Sequence, residues 1–478
     1  MIKKFKNLKV TVMGLGTHGG GLGTVKYLLR KGAKVTITDL KTSIQLESVL
    51  QKIKNVKNVH LVLGQHRLED FIGADLVLKN PAIDPNSRYL EIARKNKIPI
   101  ETDIGIFFEL CPCPIIGITG TKGKSTTTSL IYSILSQKSN KVFLGGNVRI
   151  SVLDNLKKLT GKSLSILELS SWQLEDLGLH KKSPHIALIL NLLPDHLNRH
   201  KDFQSYVDSK KIIFKYQNKD DILILNYDDS IARSFGRQAM GKVIYFGKNL
   251  DKTDIPTDQK GAYFTEEQDH IYYKEKKEPL LSISEIKLRG NHNLYNVLAA
   301  ITLAKICKAK NDIILKTIQG FHGIEGRIEE VGSFETLTFY NDTTATMPDA
   351  VIAAIESFSG KEKIVLIAGG QDKGLDYDCL AEMIVKKVSK LILLKGNASD
   401  KIIAGIKKVL GSKEKTENII KYSSLESMEE AVDRAVSCAE AGSIILLSPG
   451  AASFNLFENE FDRGNQFKKA VKRLEKNQ

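Results

Sequence analysis

Gly117-Ile118-Thr119-Gly120-Thr121-Lys122-Gly123-Lys124-Ser125-Thr126-Thr127-Thr128-Ser129 decides how this chain folds. The stretch follows the apolar Pro114-Ile115-Ile116 and precedes Leu130-Ile131, the order of a strand, a turn and a helix. Glycines let the backbone close around a phosphate, so that successive N–H groups and the helix N-terminus face the anion. Lys124 then supplies a point charge to the β- and γ-phosphates, and the Ser125 hydroxyl is suited to ligate Mg²⁺. Gly120, Thr121, Lys122, Gly123, Lys124, Ser125 and Thr126 are therefore the predicted nucleoside triphosphate contacts. The commoner form of this loop has glycine at position 118, where Ile118 stands. What remains is a tighter Gly120-x-x-Gly123-Lys124-Ser125 turn.

Outward from this loop, the same grammar of apolar strand, glycines and helix occurs twice more. Leu8–Met13 runs into Gly14-Leu15-Gly16-Thr17-His18-Gly19-Gly20-Gly21, followed by a helix near 22–31 and a strand over 34–38 that closes on Asp39. An acidic residue about twenty positions after the glycines resembles a dinucleotide-binding opening. The third start is Lys363–Ala368 before Gly369-Gly370-Gln371-Asp372-Lys373-Gly374, extended by late strands at 391–394 and 443–447. Strands alternating with helical patterns predict an α/β fold with mostly parallel sheets. Three consecutive domains are expected: a Rossmann-like unit over 1–102, a P-loop ATPase-like unit over 103–323 and a Rossmann-like unit over 324–478. The polar stretch 251–278 reads as a hairpin insertion in the middle domain.

Length and composition agree. A chain of 478 residues has room for about three domains. The net charge is +15, but the lysines scatter (Lys54, Lys57, Lys181, Lys182, Lys276, Lys277) instead of forming a stripe with aromatics. That favours anionic small molecules over nucleic acid. Five cysteines, at 111, 113, 307, 379 and 438, have no zinc-finger spacing, and Cys111-Pro112-Cys113 is too close for an ordinary disulfide. Reduced thiols in a cytosolic protein are the expectation. Met1-Ile2-Lys3-Lys4 is followed by an apolar run too short for a signal peptide, and no run long enough to span a membrane follows.

Two more strands end in groups that handle cations. Leu164-Ser165-Ile166-Leu167-Glu168 leads into Leu169-Ser170-Ser171-Trp172-Gln173-Leu174-Glu175, placing a carboxylate at a sheet's C-terminal edge. Ile189-Leu190-Asn191-Leu192-Leu193-Pro194 leads into Asp195-His196. With Tyr206…Lys210, Gly290-Asn291-His292-Asn293…Asn296, Arg327, Asn341-Asp342, Leu447-Ser448-Pro449…Ser453 and Arg463-Gly464, these motifs resemble the Mur ligase family over the whole chain. Leu-Ser-Ser-Trp-Gln-Leu-Glu, Ser-Pro-Gly-Ala-Ala-Ser-Phe and the first glycine turn resemble its D-glutamate-adding branch.

The resemblance implies an ATP-dependent ligase that joins D-glutamate to UDP-N-acetylmuramoyl-L-alanine through an acyl phosphate, in cytoplasmic peptidoglycan precursor synthesis. Its task is to hold two mutually repelling anions, carboxylate and γ-phosphate, together. Lys124 and two Mg²⁺ ions on Ser125, Glu168 and His196 would neutralise that charge. The family also carries a lysine carbamylated by CO₂, and Lys210 and Lys211 both compete for the role. Phe203, Val207, Lys210 and Phe214 share one helical face, and Tyr206 precedes Lys210 by four as in the family pattern. Lys210 is thus the expected carbamate and metal ligand, with Lys211 in solvent. Asn293 and Asn296 resemble the adenine contacts, and Arg327 and Asp342 the linker residues that grip ATP. Asn147 and Ser170 would line the muramoyl–alanine site, and Thr17, Asp39, Leu40, Lys41 and Asn80 would hold UDP. Thr346, Lys373 and Ser453 would receive D-glutamate. A monomer is implied, with small-molecule substrates, no nucleic acid and no membrane insertion.

Several positions depart from the family pattern. Asn341-Asp342-Thr343-Thr344-Ala345-Thr346-Met347 has Thr344 where a lysine is usual, and Lys122 stands in the phosphate loop where Asn is commoner. Glu458-Asn459-Glu460-Phe461 replaces the usual Lys-Asn-Phe-Glu, and His18 with three glycines makes the first turn roomier. Two rival readings exist. An NAD-dependent oxidoreductase or sensor leaves the phosphate loop, Glu168 and His196 unexplained. A sister ligase adding L-alanine or another amino acid stays open at the level of sequence, whereas a folate-type ligase has no use for a UDP-binding first domain.

Overall fold

Each apolar run that precedes a glycine turn becomes a buried strand at or near the middle of a parallel sheet. The computed structural model describes residues 5–16, 20–53, 58–147, 151–194, 201–265, 267–275, 278–288, 290–358, 362–411, 419–454 and 456–476. The chain divides into two compact units, residues 1–285 with 294–318, and residues 286–293 with 319–478. The first unit contains two sheets and the second contains one.

In the first sheet β1 (Lys9–Met13), β2 (Lys34–Asp39), β3 (Val59–Leu63), β4 (Leu76–Lys79) and β5 (Ile100–Glu101) lie in the order β3-β2-β1-β4-β5. All four pairings are parallel. The order reverses beside β1, the place where open α/β sheets leave a crevice for ligands. The second sheet contains β6 (Ile115–Thr119), β7 (Val142–Gly146), β8 (Leu164–Glu168), β9 (Ile186–Ile189), β10 (Ile222–Asn226), β11 (Lys242–Lys248), β12 (Lys260–Thr265), β13 (Gln268–Tyr273) and β14 (Leu281–Ser282). Its order is β14-β13-β12-β11-β10-β9-β6-β8-β7, parallel from β7 to β12 and antiparallel beyond. The stretch expected to be a hairpin insertion is one, with β12 continuing the parallel sheet. Strand β6 lies between β8 and β9, and all five of its residues are buried. Such near-continuous apolar strands mark a sheet covered on both faces.

The second unit holds β15 (Glu329–Phe334), β16 (Leu337–Asn341), β17 (Ile364–Gly369), β18 (Val388–Leu394), β19 (Ile420–Leu425) and β20 (Ile444–Leu447), in the order β15-β16-β20-β17-β18-β19. Only β15 runs antiparallel to its neighbour. Helices Asp378–Lys387 and Asn397–Leu410 pack on one cluster of buried residues, and helices Met428–Cys438 and Glu460–Lys476 on another.

Inside the first unit, the two sheets meet through charge as well as apolar packing. Lys79, at the end of β4, pairs at 2.7 Å with Asp176 of the Ser171–Leu179 helix, with side chains only 5% and 6% exposed. Beside them His180 Nε2 lies 3.2 Å from Glu101, which raises the imidazole above its ordinary value. Removing one member of a buried pair leaves the other charge without compensation, at about 3–5 kcal/mol. Lys79→Met is therefore expected to lower the thermal midpoint markedly, and Lys79→Met with Asp176→Leu to recover most of the loss. A double variant no more stable than the single one would show that the pair is not what holds this seam.

Candidate active site

The phosphate loop is built as its sequence demands. Strand β6 ends at Thr119, and the Lys124–Lys138 helix begins after Gly123, whose φ of +83° is the left-handed conformation that glycine adopts without a Cβ penalty. A Cβ at Gly123 would stand 2.2 Å from Asn296 Oδ1. Asn296, 2% exposed, thus lies directly against the loop. Ile118 is fully buried within β6, between Glu168 and Leu188 in register, so the expected glycine position is strand here and the loop starts two residues later.

The loop is held from the neighbouring strand end. Thr121 N–H donates to Asn191 O (2.8 Å), Lys122 N–H to Asn191 Oδ1 (2.8 Å), and Asn191 Nδ2 back to Lys122 O (3.1 Å). The Thr121 hydroxyl accepts from Leu193 N–H at 2.9 Å and meets Tyr206 OH at 3.1 Å. Lys124 curls over its own loop, donating to Gly120 O and Thr121 O, each at 2.9 Å. Ser125 and Thr126 open the helix and are half-buried.

Beneath the loop lies Lys210, from the Phe203–Lys215 helix, with 2% exposure. Its amine donates to Thr119 Oγ1 (3.0 Å) and Gly120 O (3.1 Å), and lies 5.2 Å from the Tyr206 ring centroid. Lys210 thus faces inward, as its place on the helical face predicts. Lys211, expected in solvent, is half-buried with its amine over the Phe235 ring, because Phe235 packs beneath that side of the helix. Glu168 ends β8 opposite Ile118 and is 1% exposed. Asn147 Nδ2 donates to its Oε1 at 2.8 Å, while Oε2 is buried with no hydrogen-bond partner among the described residues. Among the described residues no group of three or more His, Cys, Asp or Glu gathers at one point. A Mg²⁺ held mainly by phosphate oxygens and water needs only one or two carboxylates, and the unpartnered Glu168 Oε2 fits that requirement. Asp195 and His196 lie outside the described residues.

At the C-terminal edge of the first sheet, Asp39 turns inward. Its Oδ2 accepts from Leu15 N–H (2.9 Å) and Gly16 N–H (3.1 Å), and its Oδ1 from Lys41 N–H (2.9 Å). Asp39 therefore braces the glycine turn. Leu40 is 66% exposed, Lys41 is also exposed, and Asn80 Nδ2 reaches Gly14 O at 3.4 Å. Thr17 lies outside the described residues. Ser170 caps the Ser171–Leu179 helix in a capping box with Gln173, so its hydroxyl already has a structural partner.

In the second unit, Asn293 stands in the first turn of its helix, its N–H donating to Gly290 O at 2.9 Å. Asp342 is buried, accepting from Ile328 N–H (3.2 Å) and Ser448 Oγ (2.7 Å). Burial pushes its carboxyl up to about 7, against the lowering effect of Ser448, Ile328 and the Arg327 charge. Lys373 Nζ donates to Thr346 Oγ1 at 3.0 Å, bringing two of the three residues expected to receive an amino acid together. Partial desolvation lowers its amine; Glu460 opposes this and Arg463 adds to it. Ser453 is 2% exposed. Sequence reasoning assigned no role to Arg463, which is completely buried. Its guanidinium donates to Thr343 Oγ1 (3.1 Å), Thr343 O (2.9 Å) and Ala451 O (3.1 Å), tying the Thr343–Thr346 turn to the segment before Ser453. Nor did it assign roles to Asn191 and Thr119. Thr119 ends β6 directly before Gly120, a signal that could have found it, whereas Asn191 follows β9 with no glycine near it in sequence.

A strand-led glycine loop on a parallel sheet, with a lysine curled over it and a buried carboxylate on the next strand, defines a nucleotide-dependent α/β enzyme. Sequence profiles match in three places: the Mur ligase MurD-like N-terminal domain over residues 8–102, the Mur ligase middle domain over 118–304, and the Mur ligase glutamate ligase domain over 326–450. The UDP-N-acetylmuramoylalanine–D-glutamate ligase of Roseiflexus sp. (strain RS-1) is 38% identical over 97% of this chain and 98% of its own. The enzyme of the same name from Acetivibrio thermocellus is 37% identical over 99% and 98%. The crystal structure of UDP-N-acetylmuramate–alanine ligase from Thermotoga maritima shares the fold, with a TM-score of 0.62 at 19% identity over 99% of this chain and 100% of that one. The chain belongs to the Mur ligase family, whose members use ATP. No helix among the described residues is long and apolar enough to cross a membrane.

Two predictions follow from this geometry. Gly123→Ala introduces both a Cβ clash with Asn296 and a strained φ, and is expected to weaken ATP binding at least tenfold by calorimetry; unchanged affinity would remove the loop from the binding site. For Asp342, the unfolded chain releases the proton near its ordinary value of about 4, whereas the folded chain holds it to about 7. The folded state thus binds the extra proton across that window, and this contribution to stability is lost as pH rises through it. The midpoint difference between Asp342→Asn and the parent is expected to change across that window in favour of the variant as pH rises, and a constant difference would contradict the assignment.

Proposed function

We propose that this chain is an ATP-dependent ligase that forms the amide between UDP-N-acetylmuramoyl-L-alanine and D-glutamate, in peptidoglycan precursor synthesis. The observation that carries this reading is near-full-length similarity, at 38% and 37% identity, to relatives named for that reaction. In this reading residues 1–102 bind the UDP moiety, 103–323 bind ATP and 324–478 bind the amino acid, in a cytoplasmic monomer.

The reaction needs the substrate carboxylate to attack the γ-phosphorus of ATP, releasing ADP and giving an acyl phosphate, whose carbonyl carbon the amine of D-glutamate then attacks, forming the amide, giving up a proton and expelling phosphate. The Gly120–Thr126 loop, with Lys124, holds the triphosphate, the N–H groups of Thr121 and Lys122 being engaged by Asn191. Lys124 lets go of its two loop carbonyls to do so, exchanging neutral acceptors for a charged one. Asn293, Asn296, Arg327 and Asp342 complete the ATP contacts. Ser125, Glu168 and His196, with Lys210 as a CO₂-derived carbamate, would hold Mg²⁺, which would supply charge neutralisation between the two anions. Thr17, Leu40, Lys41 and Asn80, around the glycine turn that Asp39 braces, take the UDP end; Asn147 and Ser170 take the muramoyl–alanine end. Thr346, Lys373 and Ser453 hold the amino acid's carboxylates.

Phosphate release with UDP-N-acetylmuramoyl-L-alanine and a panel of D- and L-amino acids tests the reading, with D-glutamate expected to be the one strongly used. Ligation of L-alanine in its place would favour the sister-ligase alternative. Lys124→Ala is expected to cut turnover roughly a thousandfold, as for other charges acting on a transferring phosphoryl group. Lys210→Ala should be nearly inactive and partly rescued by acetate or formate, which restore a small anion. Inactivity without rescue, in an enzyme also indifferent to bicarbonate depletion, would leave Lys210 only as a support for the loop. Lys373→Ala is expected to raise the Michaelis constant for D-glutamate roughly ten- to a hundredfold, the loss of one charged hydrogen bond, with that for ATP little changed.

A further inference from the structure

Two thiols not involved in the ligase chemistry converge at the entry to β6. Cys111 terminates the Asp103–Leu110 helix, its N–H donating to Phe107 O. Pro112 is exposed, and the chain returns so that Cys113 is buried. The sulfurs lie 3.5 Å apart, closer than the spacing alone led us to expect. Both also touch one fully buried hydroxyl, Ser165 Oγ, at 3.7 Å from Cys111 and 3.4 Å from Cys113. Closing them to bonding distance requires an approach of roughly 1.5 Å, within reach of χ rotation at a loop residue. Of the other cysteines, Cys379 is exposed and Cys307 and Cys438 are half-buried.

We propose that Cys111 and Cys113 form an oxidisable dithiol which hydrogen peroxide converts into an internal disulfide, at the foot of the strand that ends in the phosphate loop. The two sulfurs have unequal parts. Cys111, half-buried, is the one that peroxide reaches. Burial pushes the Cys113 thiol up to about 11, so it stays protonated and waits as the resolving group. The Cys111 thiolate attacks one peroxide oxygen; the S–O bond forms, the O–O bond breaks, and hydroxide leaves and is protonated to water. Cys113 sulfur then attacks the sulfenic sulfur, forming S–S and breaking S–O, and the hydroxyl departs with the Cys113 proton as a second water. Two thiols are oxidised by two electrons and the peroxide is reduced by two. Ser165 acts as a positioning residue, its O–H turning to whichever sulfur bears negative charge.

Mass spectrometry of non-reduced peptides from the full-length protein, treated with hydrogen peroxide, tests this. The peptide containing both cysteines is expected to become lighter by two hydrogen atoms and to recover them with dithiothreitol. Exposed Cys379 serves as an internal reference that can form only the sulfenic acid or its higher oxides. In Cys113→Ser, Cys111 should instead be trapped by dimedone as the sulfenic acid; in Cys111→Ser, Cys113 should stay reduced at doses that oxidise Cys379. Ser165→Ala should slow disulfide formation several-fold while leaving Cys379 oxidation unchanged. The proposal fails if the parent peptide keeps both thiols at doses that oxidise Cys379, or if Cys111 proceeds to the sulfinic acid without passing through a disulfide.

Discussion

The first unit depends on one constraint: a long amine side chain must be held, buried and hydrogen-bonded, beneath a loop whose own backbone is meant to face an anion. Lys210 meets it by donating to Thr119 Oγ1 and Gly120 O, the two residues where strand becomes loop. Thr119 in turn donates to Leu169 O, just past the end of β8, so the amine, the loop and the Glu168 strand form one hydrogen-bonded unit. Buried polar groups of this kind are costly unless fully satisfied. The burial of β6 on both faces, the Asn191 clasp and the Tyr206 contact follow from the need to keep this unit fixed.

The second unit solves a similar problem with Arg463. Its guanidinium is completely buried, yet its hydrogen bonds go to a hydroxyl and two carbonyls. Burial lowers it to about 10, still charged at neutral pH. A planar fork that reaches two loops at once fixes their separation in a way a lysine could not. The loops it joins lead to Thr346 on one side and Ser453 on the other. Its charge also lowers the neighbouring Lys373 amine, while Glu460 acts in the opposite sense.

Much of this was legible in the sequence because strand, glycine and helix follow one another at fixed offsets. Glycine turns announced all three sheets, and the helical spacing of Phe203, Val207, Lys210 and Phe214 announced which lysine points inward. What stayed hidden depends on tertiary contacts that leave no local pattern. Asp39 was expected among the residues that hold UDP, and its residue type and offset are the same whether the carboxylate faces outward or, as here, back onto the N–H groups of Leu15 and Gly16. Ser170, expected as a substrate contact, is different: its capping box with Gln173 is a local i,i+3 pattern visible in the same motif. Arg463 sits in a polar helix start, Glu460-Phe461-Asp462-Arg463, where nothing distinguishes a buried arginine from a solvated one.

Thr344 illustrates how a departure from the family pattern becomes intelligible only with coordinates. Read as sequence, it is the loss of a cation. In the structure its hydroxyl and its N–H both bind Gly326 O, at 2.8 and 3.0 Å, so that the residue pins the Asn341–Thr346 turn to the segment carrying Arg327. A lysine there would place a long, mobile side chain where a short hydroxyl now makes a local bond. Fixing a turn by a short side chain costs little side-chain entropy, and it leaves the electrostatic task to groups already held in place. Lys373 is on Thr346 in the same turn, and Arg463 holds the turn from beneath. Positive charge remains in this region, on Lys373 beside Thr346 and on the buried Arg463.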